Sequence, residues 1–506
     1  MNRNRKVRVR YAPSPTGYQH IGGVRTALYN YFFAKKYEGD FILRIEDTDQ
    51  SRFVAGAEKY IQETFDWCGV KFDESPWNGG AYGPYRQSER KPIYKEYALQ
   101  LISSGHAYYA FDTTEELDAM RRNLESHGNP SPQYNSITRQ YMKNALTLPQ
   151  NEVNRRLEAG ETYVIRIKMP RNEDIKTYDI IRGWVLVNSS QMDDKVLMKS
   201  DGMPTYHLAN VVDDYTMKIS HVIRADEWLP SLPLHTYMYR CFGWEQDMPQ
   251  FAHVPVMLRP DGNGKLSKRD GDRLGFAVFP LAYQNEDGSS SNGFREMGFL
   301  HEAFVNLLAF FGWNPGTTQE IFTMEELIAE FNLERVGKSG SRFDFEKAKW
   351  FNHQHLIRKP FAELRDHLMA ILNNNGVNDI DQNNLETIWS FVKERCTFIT
   401  DFWNEGHYYF IEPQNIDTHT LEKINTEKIR SALRNITDRI SNDTEFSSTR
   451  CEAIVKEEMA SSVLKPGELF PFIRILLAGQ KQGPPMYEMM VLLGKEITLK
   501  RLTQYK

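Results

Sequence analysis

Residues 13–23 read Pro-Ser-Pro-Thr-Gly-Tyr-Gln-His-Ile-Gly-Gly and separate a basic alternating run, 6–11, from an apolar run, 24–37. This order predicts a strand, a glycine-rich loop and the first turn of a helix. Backbone N–H groups at a helix N-terminus, together with the helix dipole, attract phosphate groups. The stretch therefore predicts a phosphate-binding loop at the carboxyl end of a strand in an open α/β sheet.

A second motif, Lys-Leu-Ser-Lys-Arg, occupies residues 265–269 and is flanked by glycines at 262, 264, 271 and 275. A mobile cationic loop of this kind suits a polyphosphate whose charge builds up as it leaves. A solvated basic loop is the ordinary alternative for such a charge run. The strand-like residues 251–258 before it favour the first interpretation, because they place the loop at a sheet edge where ligands bind.

Length and composition describe a multidomain protein of ordinary polarity. A chain of 506 residues exceeds what one core supports and suggests about three or four domains. The net charge of −5 neither indicates nor excludes a nucleic-acid partner, because RNA binding depends on local basic patches. We find no apolar stretch of about 20 residues and no apolar signal core after the basic N-terminus, so we expect a cytoplasmic protein without a membrane partner.

Four cysteines, at positions 68, 241, 396 and 451, are scattered through apolar runs. None forms a C-x-x-C pair or a Cys/His pair with the spacing of metal ligands, which argues against a disulfide framework and against structural zinc. We predict no protein-held metal. The acidic run Glu46-Asp47-Thr48-Asp49 is the alternative, since paired carboxylates at a strand end often bind Mg²⁺.

The pattern of elements predicts a Rossmann-like half followed by an insertion. We expect strands at 7–12 and 41–46 and helices at 22–37 and 55–68, an order typical of a parallel sheet with helices packed on it. Near residue 108 the pattern becomes polar and helical, then β-rich. Strand signal returns at 196–199 and 221–224, with a helix at 232–242. From residue 300 the pattern is helical, with a surface loop predicted at 285–293 and a linker at 373–384.

Taken together, the two motifs resemble the signatures of class I aminoacyl-tRNA synthetases, and the residues around them narrow the resemblance to the glutamyl-tRNA synthetase family. It extends nearly end to end. Residues 343–352, FDFEKAKWFN, are similar to the family's F-D-x-x-K-L-x-W-x-N segment, with Ala348 in place of Leu. Gly23 replaces the usual final His of the first motif, a position at which family members commonly vary. The helical C-terminal third resembles the bacterial type, whereas glutaminyl and archaeal-type relatives carry β-barrels there.

The resemblance implies a fold and a division into regions. The expected fold class is multidomain α/β, with a Rossmann-like catalytic domain split by an α+β insertion and followed by a mainly α-helical anticodon-binding region. The expected regions are catalytic half 1 (1–105), an insertion that binds the tRNA acceptor end (106–200), catalytic half 2 (201–258), a stem-contact region with the cationic loop (259–345), and the anticodon-binding domain (346–506).

The resemblance also implies a ligase that attaches L-glutamate to tRNA(Glu) in two steps. Glutamate first attacks the α-phosphate of ATP and displaces pyrophosphate, and the acyl adenylate then passes to the 3′-terminal adenosine of tRNA. Such chemistry needs positioning and charge stabilisation rather than a protein nucleophile. The implied partners are ATP with Mg²⁺, L-glutamate and tRNA(Glu), and we expect a monomer. Residues 108–144 contain no cysteine, so we predict no zinc where some family members carry a zinc knuckle.

Candidate site residues follow from chemistry and from the resemblance. His20, at a helix N-terminus, can donate to a phosphate oxygen, and Lys265 and Lys268 resemble the family's pyrophosphate-contacting lysines. A guanidinium offers a planar fork to a carboxylate, so Arg10 and Arg224 suit the carboxylates of glutamate and Glu46 suits its ammonium. Together with the resemblance, these arguments give the residues expected to bind ATP as His20, Gly22, Gly23, Glu227, Trp228, Lys265, Ser267, Lys268 and Arg269. The full glutamate set is Arg10, Ala12, Ser14, Glu46, Tyr206, Asn210 and Arg224. Arg395 resembles an arginine that contacts the anticodon.

Three other functions compete with this interpretation. A nucleotidylyltransferase would share the first loop, but such enzymes are usually short and lack segments like 204–214 and 265–269. A truncated paralogue that glutamylates a modified tRNA base would lack the helical C-terminal region. A non-catalytic RNA-binding protein would not need intact phosphate motifs. The sequence leaves open whether tRNA(Gln) is also charged and whether glutamate activation requires tRNA.

Overall fold

The computed structural model describes residues 5–267, 270–271, 275–284, 288, 290–413 and 416–504. These residues form two compact units, 1–348 and 349–506. Strands in the first unit are β1 (Arg8–Tyr11), β2 (Asp40–Leu43), β3 (Ala107–Ala110), β4 (Val164–Ile167), β5 (Asp174–Asp179), β6 (Gly183–Asn188), β7 (Val196–Met198), β8 (His221–Ala225), β9 (Gln250–Val254), β10 (Met257–Leu258), β11 (Tyr283–Gln284), β12 (Ser290–Ser291) and β13 (Ser341–Arg342).

Helices of the first unit are α1 (Ile21–Lys36), α2 (Ala57–Trp67), α3 (Lys91–Ser103), α4 (Thr114–Ser126), α5 (Gln150–Glu158), α6 (Tyr206–Thr216), α7 (Leu232–Cys241), His301–Ala309 and Met324–Glu330. Helix Phe345–Arg358 contains the boundary between the units. The predicted strand–helix–strand–helix order at the start of the chain is confirmed, with the ends of each element within about three residues of the expected bounds.

The α/β core of the first unit is assembled from two halves. Strands β1 and β2 pair in parallel, and β8, β9 and β5 form a second parallel run to which β6 adds antiparallel. The halves meet where the Ser220 N–H donates to the Arg8 carbonyl at 2.8 Å and its hydroxyl accepts from the Arg8 N–H at 2.7 Å. Helix α1 buries an apolar face beside both halves, as expected for a doubly wound sheet.

The insertion carries its own sheet. Strands β3, β4 and β7 form a three-stranded antiparallel sheet, with Tyr108 and Tyr134 in a small separate cluster. Strands β5 and β6 lie within the predicted insertion by residue number, yet β5 pairs with β9 through Asp179 and Phe251. The chain therefore returns to this α/β core before residue 200.

Five ionic side chains connect the elements of this assembly through buried ion pairs. Asp214 accepts from the Arg10 Nε at 3.0 Å and from the Arg44 Nη1 at 2.8 Å. Asp213 accepts from the Arg90 Nε at 2.7 Å and lies 3.7 Å from the Arg44 Nε. All five are almost wholly buried. They connect β1, the end of β2 and the start of α3 to α6, so the two halves of the α/β core share one ion network.

The second unit is helical. Its helices are Phe361–Asn374, Gln382–Val392, Asp401–Gly406, Thr418–Ile424, Glu427–Asn442, Ser448–Ser461, Pro466–Ala478 and Met486–Thr503, the last interrupted at Gly494. The expected linker at 373–384 is wrong at both ends. The helices before and after it leave only 375–381 between them. The second helix begins early because Asp381 caps it by accepting the N–H groups of Asn383 and Asn384. None of the described helices combines the length and apolar character needed to cross a membrane.

The expected surface loop at 285–293 is also partly wrong. Residues 285–287 and 289 lie outside the described residues, but Ser290 and Ser291 form β12 and pair antiparallel with β11. Gly293 packs on the backbone of Leu281, where a Cβ would lie 2.1 Å from a carbonyl carbon. The polar composition of this stretch concealed a hairpin.

We expect Asp213→Asn to destabilise the first unit strongly. The change leaves the buried Arg44 and Arg90 guanidinium groups without part of their countercharge, which typically costs about 3–5 kcal/mol. Urea unfolding measures the loss, with Asp66→Asn, the same change on an exposed side chain, as the control. Surface substitutions usually alter stability by about 0.5 kcal/mol or less. Equal losses in the two variants would contradict the structural role of the network.

Candidate active site

One cavity of about 590 Å³ lies at the carboxyl ends of β1, β2 and β8, the edge at which open α/β sheets bind ligands. Its wall is formed by the loop between β1 and α1, the residues after β2, the start of α6, the end of β8 and the chain after β10. The structure brings together in this wall the predicted residues Arg10, Ala12, Ser14, His20, Gly22, Gly23, Glu46, Tyr206, Asn210, Arg224, Glu227, Trp228, Lys265 and Ser267.

Three predicted residues are not placed in the cavity. Lys268 and Arg269 lie outside the described residues. Arg395 belongs to the second unit, in a short turn after Val392, where its guanidinium lies 3.7 Å from the carboxylate of Glu405. Its contact with an anticodon stays a prediction.

His20 forms the N-cap of α1. Its extended backbone directs the imidazole back over the first turn, where Nδ1 accepts the Gly22 N–H at 3.1 Å. An imidazole nitrogen that accepts a hydrogen bond carries no proton, so a neutral His20 has its proton on Nε2. The cap therefore prepares a donor at the edge of the cavity, beside the N-terminus of a helix.

Gly23 is required by packing within the protein. A Cβ here would lie 2.8 Å from the Tyr11 hydroxyl oxygen and 3.0 Å from Gln19 Oε1. These two groups are hydrogen-bonded to each other and buried. At Gly22 the nearest contact of a Cβ would be 3.4 Å. The sequence placed both glycines among the expected ATP-binding residues, but it did not reveal that packing inside the protein also requires Gly23.

Glu46 presents the negative charge of the cavity. Its Oε1 accepts from the Arg44 Nη2 at 3.0 Å and from the Asn210 Nδ2 at 3.2 Å. Burial raises the pKa of Glu46, while the nearby charges of Arg44 and Arg10 oppose the rise. A cation placed in the cavity would further stabilise the ionised form.

Arg224 presents the positive charge. Its guanidinium donates to the Tyr206 hydroxyl at 2.9 Å, to His253 Nε2 at 2.9 Å and to the Trp228 carbonyl at 3.4 Å. Burial raises the pKa of Tyr206 to about 12, so that hydroxyl is neutral. Throughout the described part of the chain, no carboxylate lies within 4.0 Å of this guanidinium. A buried charge without a countercharge favours an anionic ligand.

The mouth of the cavity carries a second set of groups. Lys265 forms an ion pair with Glu227, and both side chains are half-exposed. Trp228 lies against the Tyr206 ring with 4.1 Å between centroids. The Ser267 N–H and hydroxyl both donate to Asp270 Oδ2, at 2.8 and 2.6 Å, and these bonds lower the pKa of Asp270 to about 2.

A hairpin unforeseen from the sequence braces the first loop. Tyr18 stacks on Tyr283 of β11 with ring centroids 4.0 Å apart. The Tyr60 hydroxyl donates to the Leu281 carbonyl at 2.6 Å, and the Ile21 N–H donates to the Val278 carbonyl at 3.0 Å. Because these contacts join residues more than 200 positions apart, no local pattern could have predicted them.

The acidic run 46–49 does not form a metal cluster. Glu46 bonds Arg44 and Asn210, Asp47 accepts from the Ser88 N–H and hydroxyl, and Asp49 bonds Ser51 and Arg52. Across the described ranges, no three His, Cys, Asp or Glu side chains converge to hold a metal ion. Glu46, Asp47 and Asp49 instead bond to groups of the protein itself.

The fold is that of a class I tRNA synthetase. Residues 6–350 match the family model "tRNA synthetases class I (E and Q), catalytic domain", and residues 359–506 match an anticodon binding domain. The chain belongs to this (E and Q) family.

Curated relatives extend over the full length. The chain is 51% identical over 497 residues to a glutamate–tRNA ligase of Amoebophilus asiaticus, covering 98% of this chain and 97% of the relative. It is 51% identical over 503 residues to one of Cytophaga hutchinsonii, covering 99% and 97%. A crystal structure of a glutamate tRNA ligase from Elizabethkingia meningosepticum in complex with its amino acid superimposes with a TM-score of 0.93, at 45% identity and 99% coverage of both chains.

We expect Gly23→Ala to destabilise the first unit while Gly22→Ala has little effect. The methyl group at 23 must displace the buried Tyr11–Gln19 pair, and overpacking of this kind costs about 1–3 kcal/mol. The methyl group at 22 has room. Urea unfolding of the two variants measures the difference, and similar values for both would contradict the packing role of Gly23.

We also expect the free energy of unfolding to decrease as the pH is lowered below about 6.5, because several histidines stay neutral in the folded state. Burial lowers the pKa of His207, His221 and His253 to about 4. Between pH 6.5 and 4 the unfolded chain therefore binds protons that the folded chain does not, and each histidine contributes a slope of about 1.4 kcal/mol per pH unit.

His221→Gln isolates one of these contributions. His221 packs against Phe33 and does not line the cavity. Urea unfolding at pH 7, 6 and 5 should show a shallower loss of stability in this variant than in the parent. His301→Gln, at an exposed histidine, should keep the parent slope. An unchanged slope in His221→Gln would show that this histidine is protonated in the folded state.

Proposed function

We infer that this protein attaches L-glutamate to tRNA in two steps. A carboxylate oxygen of glutamate attacks the α-phosphorus of ATP, and the bond to pyrophosphate breaks. A ribose hydroxyl of the terminal adenosine of tRNA then attacks the acyl carbon, and AMP leaves. The observation that carries the inference is the pair of opposite buried charges, Arg224 and Glu46, in a cavity that also contains His20 and Lys265. The full-length identity to glutamate–tRNA ligases supports it.

The charges of the cavity match those of glutamate. Its two carboxylates need cationic partners and its ammonium needs an anion. Arg10 already pairs with Asp214, so we assign to Arg224 the larger share of carboxylate recognition, with Arg10 supporting it. Glu46 would accept the ammonium, and Ala12, Ser14, Tyr206 and Asn210 would complete the subsite. Glutamine would be rejected because its neutral amide cannot replace a carboxylate beside an unpaired guanidinium.

ATP would occupy the part of the cavity nearest the two motifs. His20 would donate to a phosphate oxygen, Gly22 and Gly23 would admit the nucleoside, and Glu227 and Trp228 would lie beside it. Lys265 would exchange the carboxylate of Glu227 for the phosphates, with Ser267, Lys268 and Arg269 nearby in the sequence. Mg²⁺ would arrive with ATP, held mainly by phosphate oxygens and water.

For tRNA we propose that the sheet of β3, β4 and β7 belongs to the region that binds the acceptor end, and that the helical unit binds the anticodon through residues including Arg395. We further propose that the protein acts as a monomer in the cytoplasm and needs no zinc. The matches to a class I catalytic domain and to an anticodon binding domain support these different roles for the two units.

ATP–pyrophosphate exchange tests the function. Exchange should occur with L-glutamate and not with L-glutamine, and it should require or be strongly enhanced by tRNA(Glu). Absence of exchange with either amino acid, in a folded protein that binds ATP, would instead support nucleotidylyl transfer to another acceptor.

We expect Arg224→Gln to lower kcat/KM for glutamate by about 100-fold or more, since losing one partner of a buried charge pair costs several kcal/mol. Arg52→Gln, at a largely exposed arginine outside the cavity, serves as the control and should leave exchange unchanged. Retention of glutamate-dependent exchange in Arg224→Gln would remove this arginine from the glutamate subsite.

A further inference from the structure

A buried chain of polar groups lies behind Arg224, on its side away from Tyr206. The Arg224 Nε donates to His253 Nε2 at 2.9 Å, and His253 Nδ1 lies 2.7 Å from Asp179 Oδ2. Asp179 and His253 are fully buried and Arg224 is 5% exposed. Neither His253 nor Asp179 lines the cavity, so these two groups can act on a ligand only through Arg224.

The arginine determines which tautomer His253 adopts. A guanidinium has only donors, so His253 Nε2 must accept, and the proton of the neutral ring must reside on Nδ1. That N–H donates to Asp179, which itself is held by the N–H groups of Ile181 and Arg182 at 3.0 and 2.8 Å. Burial and the nearby Arg224 charge keep the ring neutral by lowering the pKa of His253 to about 4, although the bond to Asp179 opposes this.

A neutral histidine also lies on another side of the guanidinium. His235 Nδ1 lies 3.4 Å from the Arg224 Nη1, and His235 Nε2 lies 3.2 Å from His207 Nδ1. Burial keeps His235 neutral by lowering its pKa far below the usual value. All of these partners orient the guanidinium, and none of them neutralises it.

His253 therefore separates two charges that would otherwise pair. The imidazole ring of His253 lies between Asp179 and the Arg224 guanidinium. Asp179 therefore stabilises the buried guanidinium without binding its N–H groups directly. Arg10 shows the contrasting case, because Asp214 binds its Nε and Nη2 directly at 3.0 and 3.3 Å. We propose that His253 and Asp179 are positioning residues that hold Arg224 in register for a substrate carboxylate and preserve its positive charge for that ligand. This inference rests on the proposed function, specifically on glutamate binding at Arg224.

Substitutions at His253 separate orientation from charge. His253→Gln can keep both bonds, with its carbonyl accepting from Arg224 and its amide donating to Asp179. His253→Leu removes both. His253→Glu would pair directly with Arg224 and neutralise it. Asp179→Asn presents an NH₂ group to His253 Nδ1, which forces the proton to Nε2 and removes the acceptor from Arg224, the tautomer effect that such a change produces in a catalytic triad.

The experiment is ATP–pyrophosphate exchange with tRNA(Glu) present, with KM measured separately for glutamate and for ATP. We expect His253→Leu, His253→Glu and Asp179→Asn to raise the KM for glutamate by about 10- to 100-fold, the usual effect of losing a hydrogen bond to a charged group. The KM for ATP should stay unchanged, and His253→Gln should restore glutamate KM towards the parent value. A general structural defect would raise both constants.

Each outcome has a defined meaning. A parent-like glutamate KM in His253→Leu, together with a raised one in Arg224→Gln, would overturn the positioning role and leave the proposed function intact. A parent-like value in Arg224→Gln would overturn the glutamate subsite itself. If His253→Leu does not fold, the comparison of His253→Gln with His253→Glu decides, because equal KM values would contradict the role of preserved charge.

The parent protein offers an independent measurement that no folding defect can affect. NMR of the chain labelled with ¹⁵N-histidine reports the tautomer of His253, with His253→Gln used to assign its signals. We expect a neutral ring protonated at Nδ1 at pH 7. A ring protonated at Nε2, or a doubly protonated ring, would overturn the inference.

Discussion

The buried ion network of Arg10, Arg44 and Arg90 with Asp213 and Asp214 is the interaction on which the catalytic unit depends. Removing these charges from water is costly, and only close pairing with further hydrogen bonds compensates for it. Gln87 and Tyr94 supply such bonds to Asp213, each at 2.9 Å. Because the partners come from β1, the end of β2, the turn before α3 and helix α6, the network forms only when both halves of the split domain are in place.

The same network determines the electrostatics of the cavity. With Glu46 included, the three guanidinium groups of Arg10, Arg44 and Arg90 face three carboxylates. Arg224 stands outside this balance, with neutral partners on every side that the described residues supply. The cavity region thus contains two classes of arginine. Arg10, Arg44 and Arg90 are paired with carboxylates of the protein, whereas Arg224 has neutral partners and can pair with an anionic ligand. Local sequence does not distinguish the two classes at Arg44 and Arg224, since both of these arginines follow apolar strand residues.

Local features of the site were predictable because their causes are local. The strand, the glycine-rich loop and the helix of residues 8–36 follow from hydrophobic periodicity and turn residues, and His20 precedes the helix at the position of a cap. The pairing of Arg10 with Asp214 joins residues 204 positions apart, and no spacing rule reports it. Gly23 looked like a ligand contact, although a packing constraint from Tyr11 and Gln19 also requires it.

Errors in the sequence interpretation have a common physical cause. Polar residues were taken to mean loops at 285–293 and 373–384, yet Ser290 and Ser291 form strand bonds and Asp381 caps a helix. Asp, Asn and Ser satisfy backbone groups at the ends of elements as readily as in loops. Composition therefore locates the connection between two elements correctly but overestimates how many residues that connection contains. Where the strand β12 begins depends on its pairing with β11, and the composition of the stretch does not report that pairing.

A neutral histidine between Asp179 and Arg224 solves a problem that neither direct pairing nor isolation would solve. A carboxylate in contact with Arg224 would stabilise the guanidinium but compete with the substrate for its fork. An isolated guanidinium would keep its fork free but would bear the full penalty of burial. The His253 imidazole connects the two charges by accepting a hydrogen bond from Arg224 and donating one to Asp179. It can form both bonds only as the neutral tautomer protonated on Nδ1. In the proposed glutamate subsite, selection of one anionic amino acid would follow from a positive charge that the protein orients and only the ligand neutralises.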